Sequence, residues 1–197
     1  MVMKTRHILF FLFLLSLGQW SLAQTRRSTP TFEDGVYKIG TLAELLWVSE
    51  TSSSWTSSFV LTANINASET QYWDDNDDDA NGYKYDDPND ITATGSNTGW
   101  LPIAPTWSNE FEGNFDGKDY TISNLTVSRT VNYAGLFGYI DDDGGAPIYI
   151  HNINLENVRI TNNRTGSYNI GTGGIAGGVA LGNISIEMGT FHQKVNI

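Results

Sequence analysis

The residues best placed for chemistry lie in an acidic run, Asp77-Asp78-Asp79-Ala80-Asn81-Gly82. Oxygen-bearing side chains at alternate positions before a Gly match D-x-[DN]-x-[DN]-G, the opening of a calcium loop. A hard cation takes several oxygens at about 2.3–2.6 Å, and alternate side chains around a tight turn can converge on one point. Asp77, Asp79 and Asn81 are therefore expected metal ligands, with a carbonyl from Tyr83 and a carboxylate from Asp86 or Asp87. The twelfth position is Pro88 rather than a bidentate Glu, so the loop is not an EF-hand. A solvated acidic loop is the simpler reading, set against the electrostatic cost of crowding carboxylates without a cation.

Aromatic rings beside polar groups suit stacking on sugars. Trp73, Tyr83 and Tyr85 form an expected glycan platform in the same region, with packing of the lead-in segment as the alternative. Paired carboxylates for a glycosidase would come from Glu110, Glu112, Asp116 and Asp119. A calcium-assisted polysaccharide lyase would need one basic residue, and Lys118, Arg129 and Arg159 are the candidates. His151 and His192 are the only His after the leader and the chain has no Cys, which argues against a zinc site or a Cys–His nucleophile. No nucleophile-elbow motif supports a Ser-His-Asp triad. Catalytic residues are expected to be absent.

The elements that must position these residues begin with a leader. Lys4 and Arg6 precede an apolar run from Ile8 to Leu17 broken only by Ser16, and Ser21 and Ala23 are the small residues before a cleavage point. This is a secretory signal of residues 1–23, too short in its apolar part for a bilayer that needs about 20 residues in a helix. Its removal leaves nine basic against 22 acidic residues, a net charge of −13. Such a chain will not bind nucleic acid by neutralising phosphates, and anionic membrane surfaces repel it. With no cysteines, an exported domain must stand on packing, turns and bound metal rather than on disulfides.

Residues 24–35 read as loose. Over 36–70, a short strand from Val36 to Ile39 leads into a helix opened by a capping box, Thr41 with Glu44, and given an apolar face by Leu42, Leu45 and Leu46. A strand from Phe59 to Ile65 follows. Residues 71–99 form the acidic insertion. Phe111 to Phe115 alternates apolar residues, and Asp116-Gly117 predicts a hairpin turn.

An internal repeat dominates residues 100–187. Ile122-Ser123-Asn124-Leu125-Thr126-Val127 returns as Ile150-His151-Asn152-Ile153-Asn154-Leu155 and as Leu181-Gly182-Asn183-Ile184-Ser185-Ile186, at spacings of 28 and 31 residues. A Gly-x-x-Gly frame recurs 39 residues apart, Gly135 to Gly138 and Gly174 to Gly177. Such periods predict stacked units, here an all-β, right-handed parallel β-solenoid with a short N-terminal capping helix. Asn124, Asn152 and Asn183 would then form an amide ladder at one corner. That ladder accounts for two of the four glycosylation sequons at Asn66, Asn124, Asn163 and Asn183. Residues 188–197 fit no coil, which predicts a truncated product.

Trp100-Leu101-Pro102-Ile103, Phe111-Glu112-Gly113-Asn114-Phe115-Asp116-Gly117, Ile122-Ser123-Asn124-Leu125 and Gly135-Leu136-Phe137-Gly138 resemble the GLUG-motif repeat proteins of bacterial surfaces, some grouped with filamentous haemagglutinins. The resemblance covers roughly residues 36–187. It implies a secreted structural or adhesive repeat module with no catalytic residues to carry over. Ala104 departs from it, standing where the family usually has Gly, as does Lys118-Asp119-Tyr120 in place of a small linker. The expected function is a calcium-stabilised surface module; a carbohydrate-binding module and a β-helix polysaccharide-degrading enzyme are the alternatives. An extracellular glycan or a cell-surface protein is the expected partner, with no transmembrane segment after the leader.

Overall fold

A computed structural model describes residues 27–73, 98–165, 170–180 and 182–188. The chain is built from short strands. β1 (Thr31–Glu33) and β2 (Val36–Ile39) precede α1 (Leu42–Glu50), and β3 (Ser58–Leu61) and β4 (Ile65–Asn66) follow it. Then come β5 (Asn114–Asp116), β6 (Thr121–Ser123), β7 (Thr126–Arg129), β8 (Tyr133–Ala134) and β9 (Phe137–Ile140). The last group is β10 (Ile148–Glu156), β11 (Arg159–Asn162), β12 (Gly171–Thr172), β13 (Ala176–Val179) and β14 (Ile184–Met188).

The class is all-β, but the closed parallel β-solenoid expected from the repeats is corrected. The main sheet has eight strands, runs β1-β2-β3-β5-β10-β6-β4 with β14 added on β10, and is mixed. β1 pairs antiparallel with β2, whereas the other contacts in this sheet are parallel. Three two-stranded parallel sheets stand apart: β7 with β11, β8 with β12, and β9 with β13. Two physical causes depart from a uniform coil. Asp34 and Gly35 both take left-handed backbone, φ 54° and 80°, which folds β1 back on β2 as a tight hairpin. The short segment 31–33, read as loose, is thus a strand. At the other end Asn152, at φ 55°, turns β10 in its middle. Its first half pairs with β5 and its second with β6, so one strand serves two parts of the sheet.

The repeat register differs from the 28-residue spacing of the Asn motifs. Ile122 lies opposite Leu155 and Phe115 opposite Ile150, separations of 33 and 35 residues. Ile148 lies opposite Ile184, a separation of 36. Asn124, Asn152 and Asn183 consequently occupy different corners. Asn124 donates its amide to Asn66 Oδ1 at 3.0 Å, and Asn152 donates to Asp116 Oδ1 at 3.1 Å. Asn183 offers its main-chain N–H to Asp142 Oδ2 at 2.8 Å. Asn124 and Asn152 do adopt left-handed backbone, φ 60° and 55°, a conformation Asn tolerates better than most residues. The Gly-x-x-Gly frame is in register: Phe137 pairs with Ala176, the separation of 39 residues at which the frame repeats.

The core is aromatic. Phe59, Phe111, Phe115 and Phe137 form a chain of ring contacts, from Phe111–Phe137 at 4.8 Å to Phe59–Phe115 at 6.2 Å. Trp73 and Trp100 meet at 6.3 Å. Trp100, Ile103, Phe111, Phe115, Ile122, Leu125, Leu136 and Phe137 of the repeat motifs are fully buried. α1 opens at Thr41, whose side chain and that of Glu44 accept from each other's main-chain N–H, and it buries Leu42, Leu45 and Leu46 in the same core. Ala104 is buried with φ 56°, a left-handed position where Gly is unstrained.

Candidate functional site

The outward face of the main sheet gathers polar side chains into rows. Parallel register sets Lys38, Val60, Asp116, His151 and Glu187 side by side across β2, β3, β5, β10 and β14. The row beside it holds Val36, Ser58 and Asn114, and Asn114 Oδ1 accepts the Tyr149 N–H at 2.8 Å. These residues alternate with the buried Phe59, Leu61, Phe115 and Ile150, as a half-buried sheet requires.

A cleft of about 640 Å³ lies over this face. Its floor is β3, whose outward Ser58 and Val60 are small, with Thr62 just beyond. Asp34, Val36 and Lys38 form one wall, and Asn114, Asp116, Lys118, Tyr120 and His151 the other. The trench exists because short side chains on the middle strand sit between longer ones on its neighbours.

Both walls carry ion pairs. Lys38 Nζ contacts Glu33 Oε2 at 2.5 Å and Asp34 Oδ2 at 4.0 Å. Its hydrogen bond with Glu33 raises the ammonium above the ordinary Lys range and holds the Glu33 carboxyl below its own. Lys118 Nζ lies 2.8 Å from Asp116 Oδ2. Asp116 Oδ1 accepts the Lys118 main-chain N–H at 2.9 Å and the Asn152 amide at 3.1 Å. Burial alone would raise the Asp116 carboxyl; the Lys118, Asn152 and His151 interactions outweigh it and hold it below the ordinary range. The Asp116 carboxylate in turn raises the Lys118 ammonium. The Asn152 amide nitrogen is 2.9 Å from His151 Nδ1. An amide donating there leaves the neutral ring's proton on Nε2.

The sequence-derived candidates fare unequally. Asp77, Asp79, Asn81, Tyr83, Asp86, Asp87 and Tyr85 lie outside the described residues. Trp73 is fully buried and donates its indole N–H to Glu69 Oε1 at 3.1 Å, so its ring is a core element and not a sugar platform. The two ends of the acidic insertion meet there, because Trp73 O accepts the N–H groups of Thr98 and Gly99 at 2.9 and 3.1 Å. Among the basic candidates, Arg129 is buried and donates to the Trp100 and Gly99 carbonyls, at 2.7 and 2.5 Å. Arg159 is exposed on β11 and does not line the cleft. Lys118 does line it, ion-paired in the protonated form.

Asp116 also faces the cleft, apart from Glu112. That carboxyl is raised by partial burial and by repulsion from Glu110, Asp143 and Asp141, a separate acidic edge. Phe111 bridges to Ile140, which is what sets Glu112 beside Asp141. Asp142, two residues from that bridge, is held below the ordinary range by the Asn183 and Gly144 N–H groups. Among the described residues, no group of three or more His, Asp or Glu is placed to hold a metal ion.

The trench itself was missed in the sequence. Alternation on β2, β3 and β5 was a signal that these side chains point outward; their lateral register was not. No protein family matches the chain, and no solved structure does. Over 140 residues, 71% of its length, the chain is 30% identical to Halomucin of Haloquadratum walsbyi. It thus spans about 1% of that relative's length. Among the described residues, no helix is long and apolar enough to cross a membrane.

Proposed function

We propose that this chain is an exported module that acts at or beyond the cell surface, structurally or adhesively, rather than as an enzyme. The observation that carries this reading is how its charged groups are used. Asp116 accepts two hydrogen bonds and an ion pair, Asp142 accepts main-chain N–H groups, and buried Arg129 donates to main-chain carbonyls. These groups hold the fold, and Lys118, the one lyase candidate in the cleft, keeps its proton beside Asp116. The signal sequence, the resemblance to GLUG-motif proteins and the likeness to Halomucin support a place outside the cell.

Expression of the full, epitope-tagged chain in a secretion-competent bacterium tests this. Recovery in the medium or as a protease-accessible surface form is expected, shortened by the leader; retention of the unprocessed chain in the cytoplasm would overturn it. Calcium at Asp77, Asp79, Asn81, Tyr83, Asp86 and Asp87 belongs to the same reading and rests on the sequence pattern. The thermal unfolding midpoint in calcium should exceed that in chelator, with the difference lost in Asp77→Ala or Asp79→Ala. Superimposable curves would remove the metal.

A further inference from the structure

We propose that the trench over β3 binds a neutral, hydroxyl-rich glycan chain; this rests on the extracellular reading above and names the ligand class it would meet. The dimensions suit such a ligand. β2 and β5 flank β3 at one strand spacing each, so the walls stand about 10 Å apart, wide enough for a single sugar chain lying along the strand. The 640 Å³ volume falls in the range of ligand clefts, about 300–1,000 Å³.

The polar groups argue for hydroxyls. Asp116 Oδ2 and Lys118 Nζ, 2.8 Å apart, present an acceptor and a donor side by side, the complement of two adjacent ring hydroxyls. On the opposite wall Lys38 and Asp34, 4.0 Å apart, offer a donor and an acceptor of their own. His151 adds a donor at Nε2 when Asn152 bonds its Nδ1. Val60 on the floor and Tyr120 in the wall supply apolar surface for the C–H face of a sugar ring.

The charge balance argues for neutrality. A polyanion would meet Asp34 and Asp116 and a secreted chain of net charge −13, whereas a polycation would meet Lys38 and Lys118. An extended peptide would seek unpaired strand edges, but β3 is hydrogen-bonded on both sides, to β2 and β5.

The test is titration calorimetry of the full secreted chain with neutral hexasaccharides of β-linked glucose, xylose and mannose, and with an oligogalacturonate as the anionic probe. Millimolar or tighter binding of at least one neutral hexasaccharide is expected. Val60→Trp, which fills the floor from an outward strand position, should weaken it at least tenfold while the melting curve stays close to wild type. Lys118→Met should weaken it severalfold, and Tyr149→Ala, outside the trench, should leave it unchanged. Three results would each overturn the proposal: no neutral hexasaccharide bound, binding of the anionic probe alone, or binding indifferent to Val60→Trp. Should the chain reach the medium yet bind no hexasaccharide, this inference falls alone. Should it bind but stay inside the cell, the extracellular reading falls and the site stands.

Discussion

Asp34-Gly35 and Asp116-Gly117 are the same dipeptide, each flanked by strand residues, and they do opposite things. At the first, both residues are left-handed, β1 and β2 pair antiparallel, and a Cβ built on Gly35 would meet no atom within 4 Å. At the second, the left-handed residues are Lys118 and Asp119, φ 49° and 62°. β5 and β6 on either side do not pair with each other; both run parallel to β10. A Cβ on Gly117 would stand 2.3 Å from Asn152 O. One glycine serves a local turn, where only the backbone angle matters. The other admits a neighbouring chain 35 residues away, where the missing side chain matters. The hairpin expected at Asp116-Gly117 was the right rule applied to the wrong copy.

Substitutions can separate these two uses. Gly117→Ala should be the most damaging, at about 3 kcal/mol, since the clash is with main chain that cannot step aside. A loss below about 1 kcal/mol in denaturant unfolding would mean that β10 yields. Gly35→Ala should cost only about 1 kcal/mol, the penalty of a left-handed Ala in open space. Equal losses at the two positions would erase the distinction. Ala104 offers the converse, a side chain already forced into left-handed backbone at φ 56°. Ala104→Gly should stabilise by up to about 1 kcal/mol, and a destabilised variant would show that its buried methyl outweighs the strain.

The smallest effect belongs to the Asp beside Gly117. The folded state lowers the Asp116 carboxyl, so its contribution is present above the ordinary aspartate range and is lost as pH falls through the folded value. Asp116→Asn should therefore melt below wild type at neutral pH, and the two curves should converge in strong acid. A gap independent of pH would assign the effect to shape instead of charge.

Legibility in the sequence followed the range of the interaction. The capping box of Thr41 and Glu44 was readable because its partners are three residues apart. The Gly-x-x-Gly frame was readable because tight packing demands it on both strands: a Cβ on Gly138 would lie 2.2 Å from Ala104 O, and one on Gly177 2.6 Å from the Ala134 N. The Asn motifs misled because a six-residue pattern cannot fix register when the paired separations run from 33 to 39 residues. Trp73 looked like a sugar platform beside polar neighbours, yet its ring is enclosed by segments remote in sequence.

Composition and local pattern were enough to establish an acidic, cysteine-free, β-rich chain with internal repeats, because caps and alternation are short-range consequences of residue type. The mixed sheet, the turn of β10 at Asn152 and the trench over β3 came from the fold. Each depends on which strands lie side by side and in what register, and that is settled by how buried side chains from distant segments fill a common core.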